Sequence, residues 1–154
     1  MSKFLSELQV KLKTGSDKTW VLLSPLGYHS DLINKDIWIP VKFEVDDSSK
    51  VVANALLGDK KSDEELFETD FASVPRLPLV YDLFGDRAHY ESVPHDYLYC
   101  KNSKPVVSRE TADKIFLEAM KVRGKGWFVR SMMYAGVRVG GWVAYHKRNV
   151  EDKI

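Results

Sequence analysis

Cysteine occurs once, at Cys100, so no disulfide can form within the chain and nothing in the composition demands an oxidising compartment. Net charge is nearly absent as well. The 23 Lys and Arg residues against 22 Asp and Glu leave +1 at pH 7, which excludes a global pull toward nucleic acid or acidic membranes. No run reaches the roughly 18 apolar residues of a membrane span. The nearest approach, Trp127 to Tyr145, is interrupted by Arg130 and Arg138. The opening MSKFLSELQVKLK has no apolar core of signal-peptide length, which points to a protein made and kept in the cytoplasm. A glycine-rich phosphate loop, an HExxH zinc motif, a CxxC pair and a GxSxG elbow are all missing, and with them the chemistries those motifs carry. No basic surface interleaved with aromatics is evident, so a nucleic-acid partner is not expected.

What is present suits one globular domain of 154 residues, 44% hydrophobic and 29% charged. The first half reads as strands and the second as helices, an α+β class with about three N-terminal antiparallel strands and a C-terminal bundle of three to four helices. Phe4 to Leu12 alternates as a half-buried strand. Thr14-Gly15-Ser16-Asp17 supplies a turn, and Thr19 to Leu26 completes a hairpin. Asp36 to Val45 alternates as a third strand, with Pro40 requiring an edge or a bulge. Residues 46–68 are polar and acidic and read as an inserted loop within the single domain 1–154. Leu79 to Phe84 suits a short helix ending at Gly85. A helix carrying His95 to Tyr99 is expected to hold Pro94 near its first turn, with Ser92 as a possible cap and a kinked longer helix as the alternative. Ser108 caps a helix over Arg109 to Val122, with Gly124 after its end. A last helix covers about Trp127 to Tyr145, where Gly136 and Gly140 lie one turn apart and permit close packing. From Lys121 to Arg148 seven basic residues occur without an Asp or Glu, forming a solvated basic face or a contact for phosphate.

The residues able to carry chemistry centre on His95 and Asp96. Neighbours on a helix point about 100° apart, so each serves a separate task around one pocket. His95 shares a helix face with Tyr99 one turn later. A histidine titrating near neutrality is the usual general base, and it needs an acceptor on its second nitrogen. Asp113 is the candidate, because its helix position falls within the apolar arc beside Phe116 and Leu117. A carboxylate there is costly unless paired, and His95 and Tyr99 are the expected donors. Asp96 is then left to hold a metal ion or a substrate, with Asp70 as a second acid and with Ser73 and Arg76 on the same loop. The alternative reading is a buried polar network that only fixes packing. His29 falls in a turn-like stretch with no evident partner.

The order TDFASVPR (69–76), HDYLY (95–99) and SRETADKIFLEAM (108–120) resembles a phage and prophage family known as a domain of unknown function. The resemblance covers most of the chain except the acidic stretch. It implies phage origin, synthesis in the host cytoplasm and association with the virion as an alternative location. More locally, HDxxY followed by ADxxF over residues 95–120 is similar to the helical pair of phospholipases of the A2 type. That similarity implies His95 as the base activating water, Asp113 orienting it, Tyr99 supporting the network and Asp96 binding calcium. TDFASVPRLP and Gly85-Asp86 stand where those enzymes place a glycine-rich calcium loop. Together the two resemblances imply a hydrolase acting on an ester or amide of the host envelope. The alternative is a virion or tail component whose partners are other phage proteins.

Overall fold

The structure is a computed structural model, and it describes residues 1–17, 19–44, 64–69, 89–100 and 102–145. The class is α+β, with antiparallel strands preceding three helices among the described residues. The strands are β1 (Lys3–Phe4), β2 (Val10–Leu12), β3 (Trp20–Leu22), β4 (Leu26–Ser30), β5 (Lys35–Ile39), β6 (Lys42–Glu44), β7 (Glu64–Leu66) and β8 (Glu68–Thr69). They form three small antiparallel sheets, ordered β1-β4-β5, β2-β3-β8 and β6-β7. The helices are α1 (His89–Tyr99), α2 (Arg109–Val122) and α3 (Trp127–Tyr145).

The strands are more numerous and shorter than the alternation of apolar residues predicts. The expected strand over Phe4–Leu12 is two strands in different sheets, β1 against β4 and β2 against β3. Thr19–Leu26 likewise divides, β3 continuing the expected hairpin with β2 and β4 starting a new sheet at Leu26. Asp36–Val45 breaks at Pro40, which has no amide hydrogen to extend a ladder. The end of the acidic stretch is not loop: β7 pairs with β6, and β8 pairs with β3. His29 is also not in a turn. It lies in β4 opposite Asp36, whose carboxylate is 2.6 Å from His29 Nδ1. The turn comes after it, and Asn34 closes it at φ 52°, a left-handed conformation that asparagine tolerates better than most residues. The expected helix over Leu79–Phe84 lies outside the described residues.

Within β5 the pattern is the simple one: Ile37 and Ile39 are buried while Asp36 and Trp38 face outward. Ile37 and Ile39 join Leu22, Leu26 and Tyr28 of the strands in one core, against Val93 and Leu98 of α1 and Ile115 and Ala119 of α2. A second cluster lies between α2 and α3, from Phe116 and Met120 to Met133 and Val137. Glu118 of α2 ties the layers together, accepting hydrogen bonds from Ser2 Oγ at 2.8 Å, Tyr28 OH at 3.0 Å and Leu32 N at 3.1 Å. Burial and the Glu118 carboxylate push the Tyr28 hydroxyl well above its ordinary range, so it stays a donor.

Ser108 caps α2 as its sequence indicates, its Oγ accepting from Thr111 N at 3.2 Å. Gly124, at φ 72°, takes the left-handed turn after the helix end. Pro94 is the correction. The helix begins at His89, so the proline sits within α1 rather than in its first turn, and Ser92 is not its cap. Residues 91–95 are all buried. Packing on both sides of α1 therefore holds the helical path that a proline interior would otherwise disfavour by about 3 kcal/mol.

Candidate functional site

α1 runs between the sheet and α2, so its inward residues face carboxylates on neighbouring elements rather than water. His95 is 2% exposed and Asp113 of α2 is fully buried. His95 Nε2 lies 2.9 Å from Asp113 Oδ1, and Tyr99 OH donates to that same oxygen at 2.5 Å. The other oxygen, Oδ2, accepts from Arg138 Nη1 at 2.9 Å. Three donors from two helices, His95 and Tyr99 of α1 and Arg138 of α3, thus converge on one buried carboxylate of α2. An ionised carboxylate only accepts, so the proton on the imidazole edge facing Asp113 belongs to Nε2.

The imidazole is packed as well as bonded. Its centroid lies 4.2 Å from the Tyr99 ring and 5.0 Å from the Phe116 ring. Its other nitrogen, Nδ1, lies 3.8 Å from Asp96 Oδ1. Asp96 follows His95 in sequence, yet its carboxylate bends back far enough to act electrostatically on the ring. Its side chain is 22% exposed, the most open of this group of carboxylates, and its Oδ2 accepts from Thr69 Oγ1 at 2.6 Å. Strand β8 delivers Thr69 by pairing with β3, which brings the first residue of TDFASVPR to HDYLY.

The electrostatics follow from this arrangement. Burial by itself would favour the neutral imidazole, but the facing carboxylates of Asp113 and Asp96 outweigh it and raise the His95 pKa above its usual value. For Asp113, burial opposes ionisation, while His95, Tyr99 and Arg138 hold it ionised, with a pKa below the ordinary carboxylate range. Burial and the Asp113 charge push the Tyr99 hydroxyl far above its usual value, keeping it protonated and donating.

Of the residues singled out from sequence, His95, Tyr99 and Asp113 meet directly, and Asp96 borders them. Asp70, Ser73 and Arg76 lie outside the described residues. Two participants escaped the sequence reading. Thr69 had no signal beyond its place in the motif. Arg138 had one: a cation interrupting an otherwise apolar helix needs a partner, and here that partner is Asp113. Calcium takes six to eight oxygens. Among the described residues Asp96 brings one carboxylate to this place, and no group of three or more His, Cys, Asp or Glu side chains is arranged to hold a metal. Asp70, the second acid expected beside Asp96, lies outside those residues.

Of the two glycines that the one-turn spacing singled out, Gly140 makes no close approach, whereas its neighbour Gly141 does. Gly140 is exposed, and a Cβ there would meet nothing within 4 Å. At Gly141 a Cβ would collide with the Tyr99 hydroxyl, the group that bonds Asp113. The adjacent glycines should therefore respond with opposite signs. Gly141→Ala is expected to lose about 1–3 kcal/mol by overpacking. Gly140→Ala should gain roughly 0.5–1 kcal/mol from helix propensity. Thermal unfolding of the two variants checks both, and similar effects at the two positions would contradict the contact.

A family model described as Protein of unknown function (DUF1353) matches residues 51–137, more than half of the chain. The matched span contains His95, Asp96, Tyr99 and Asp113 and stops one residue before Arg138. No curated protein and no solved structure matches the chain. With α1, α2 and the Asp113-centred cluster falling inside or at the edge of that span, the chain belongs to the DUF1353 family.

Proposed function

We propose that the chain is a hydrolase of phage or prophage origin, acting on an ester or amide of the host envelope with His95 as general base. One observation carries the reading. Asp113 engages Nε2 and shares an oxygen with Tyr99, which leaves Nδ1 directed toward Asp96, the carboxylate that reaches solvent. A base whose second nitrogen is held by a buried carboxylate is the arrangement that water activation requires. Nδ1 takes a proton from a water entering on the Asp96 side while the water oxygen bonds to the carbonyl carbon. Asp113 stabilises the imidazolium that forms. As the tetrahedral intermediate collapses, the bond to the leaving oxygen or nitrogen breaks, and the imidazolium returns its proton to that atom. Tyr99 and Arg138 position Asp113 and touch no substrate.

The test is hydrolysis of a panel of short-chain esters, anilides and phospholipid micelles by the purified protein, with His95→Gln beside it. General-base catalysis contributes about 10²–10⁴-fold, so His95→Gln should lower kcat at least 100-fold. Absence of turnover above the solvent rate across the panel, or its retention in His95→Gln, would overturn the proposal. The outcome then supports the second reading, a virion or tail component in which this cluster joins three helices. That reading is favoured by the near-complete burial of His95 and by the third donor, Arg138, which leaves both Asp113 oxygens engaged.

A further inference from the structure

At the turn between α2 and α3 the surface changes character. Trp127 is 73% exposed and Phe128 57%, and Val122 and Met132 beside them are also exposed. Large apolar side chains standing this far out of a small domain mark a contact surface. The charged groups of this segment are all of one sign. Lys121, Arg123, Lys125 and Arg130 occur here, and no Asp or Glu is present between Lys121 and Tyr145. The two carboxylates at its border already have partners. Glu91 is buried and faces Lys125 at 3.7 Å, and Glu118 accepts its three bonds from Ser2, Tyr28 and Leu32.

Behind the aromatic pair, a groove of about 450 Å³ is lined by Leu117 and Trp127, with three cations, Lys114, Lys121 and Arg130, around one carboxylate, Glu118. Arg130 Nε is buried and has no hydrogen-bond partner among the described residues. A guanidinium nitrogen in that state favours an acceptor entering the groove. Phosphate is the acceptor that also satisfies the surrounding positive charge.

We propose that this surface docks on a lipid bilayer bearing anionic phosphate head groups. Trp127 and Phe128 enter the boundary between head groups and acyl chains, and one head-group phosphate sits between Lys121 and Arg130. Charge complementarity selects the partner, since four cations against the buried Glu91 and the engaged Glu118 leave the face net positive, which suits an anionic sheet and repels a second copy of the same face. Exposed Trp and Phe beside Lys and Arg are the side chains that lie at a membrane interface. No helix of the described residues is long and apolar enough to cross a membrane, so the contact is peripheral. This inference stands apart from the hydrolytic reading, because lipid binding is read without any turnover.

The experiment is flotation of the full chain with vesicles of phosphatidylcholine alone or with 30 mole per cent phosphatidylglycerol (about the anionic share that gives a strongly negative surface). Binding should require the anionic lipid and fall at least ten-fold on raising salt from about 0.1 M to about 0.5 M, where screening is nearly complete. Trp127→Ala with Phe128→Ser should weaken it by a similar factor, as should Lys121→Glu alone. All of these positions are exposed, and unchanged thermal unfolding confirms that each variant is folded. Equal binding to neutral vesicles, no binding to either, or unaffected variants would overturn the proposal. So would concentration-dependent self-association abolished by the double variant, which would assign the face to a second copy. Millimolar inorganic phosphate that displaces the protein from vesicles supports the groove as the phosphate seat. Lipid binding insensitive to both phosphate and Lys121→Glu would overturn that part of the assignment.

Discussion

Asp113→Ala should cost about 3–5 kcal/mol of stability, the range for breaking a buried charge cluster by removing one member. The structure gives the reason. Its carboxylate is fully buried and receives His95, Tyr99 and Arg138, so its loss leaves a buried imidazole, a half-buried phenol and a guanidinium without their common acceptor. In a chain of this size the loss corresponds to a fall in Tm of roughly 10 °C or more. Tyr99→Phe removes one hydrogen bond to a charged group and should cost less, about 1.5–3 kcal/mol. Because the two residues share one oxygen, the double variant should lose less than the two single losses added together. Urea unfolding of the three proteins measures this directly. A loss below about 1 kcal/mol for Asp113→Ala would mean that the cluster does not organise the helices.

The second large effect is on pH, where stability and activity should move in opposite directions. The folded-state pKa of His95 is raised, so its pairing contributes fully below the unfolded value of about 6.5 and is lost as pH climbs through the folded value. Asp113 is lowered, so its contribution is present above about 3.9 and is lost as pH falls through its folded value. Between those limits both groups are charged in the folded state and the cluster is strongest. Hydrolysis needs the neutral imidazole, so kcat should rise with pH through the same raised His95 value that begins to weaken the fold. Thermal unfolding and kcat, recorded across pH 4–9 on wild type and His95→Gln, test both limbs (the span brackets the two ordinary pKa values). The alkaline decline in Tm should be smaller in His95→Gln. A rate that rises only as pH falls would remove His95 as a base.

The two effects together show why stability alone does not identify the role of His95. The residue is buried against Phe116 and bonded to Asp113, so its replacement unsettles the fold whether or not it moves a proton. Only a rate and its pH profile separate the readings.

Local signals determined much of this protein. Ser108, the apolar stripe of α2 and Gly124 placed that helix to the residue, because caps and periodicity act within a few positions of one another. The apolar length from Trp127 to Tyr145 marked α3 in the same way. The pairing of Asp113 with His95 and Tyr99 was legible too, since an acid inside an apolar arc requires donors and few were at hand. Tertiary structure decided the rest. Alternation reports which face of a strand is buried but not which strand lies beside it, so one run, Phe4–Leu12, serves two sheets. Packing on both sides of α1 placed Pro94 inside a helix against its local preference. Arg138 reached Asp113, Thr69 reached Asp96, and Gly141 rather than Gly140 met Tyr99, because each contact joins elements far apart in sequence. Such contacts depend on how whole helices and sheets settle against each other, and no pattern within a single segment contains that information.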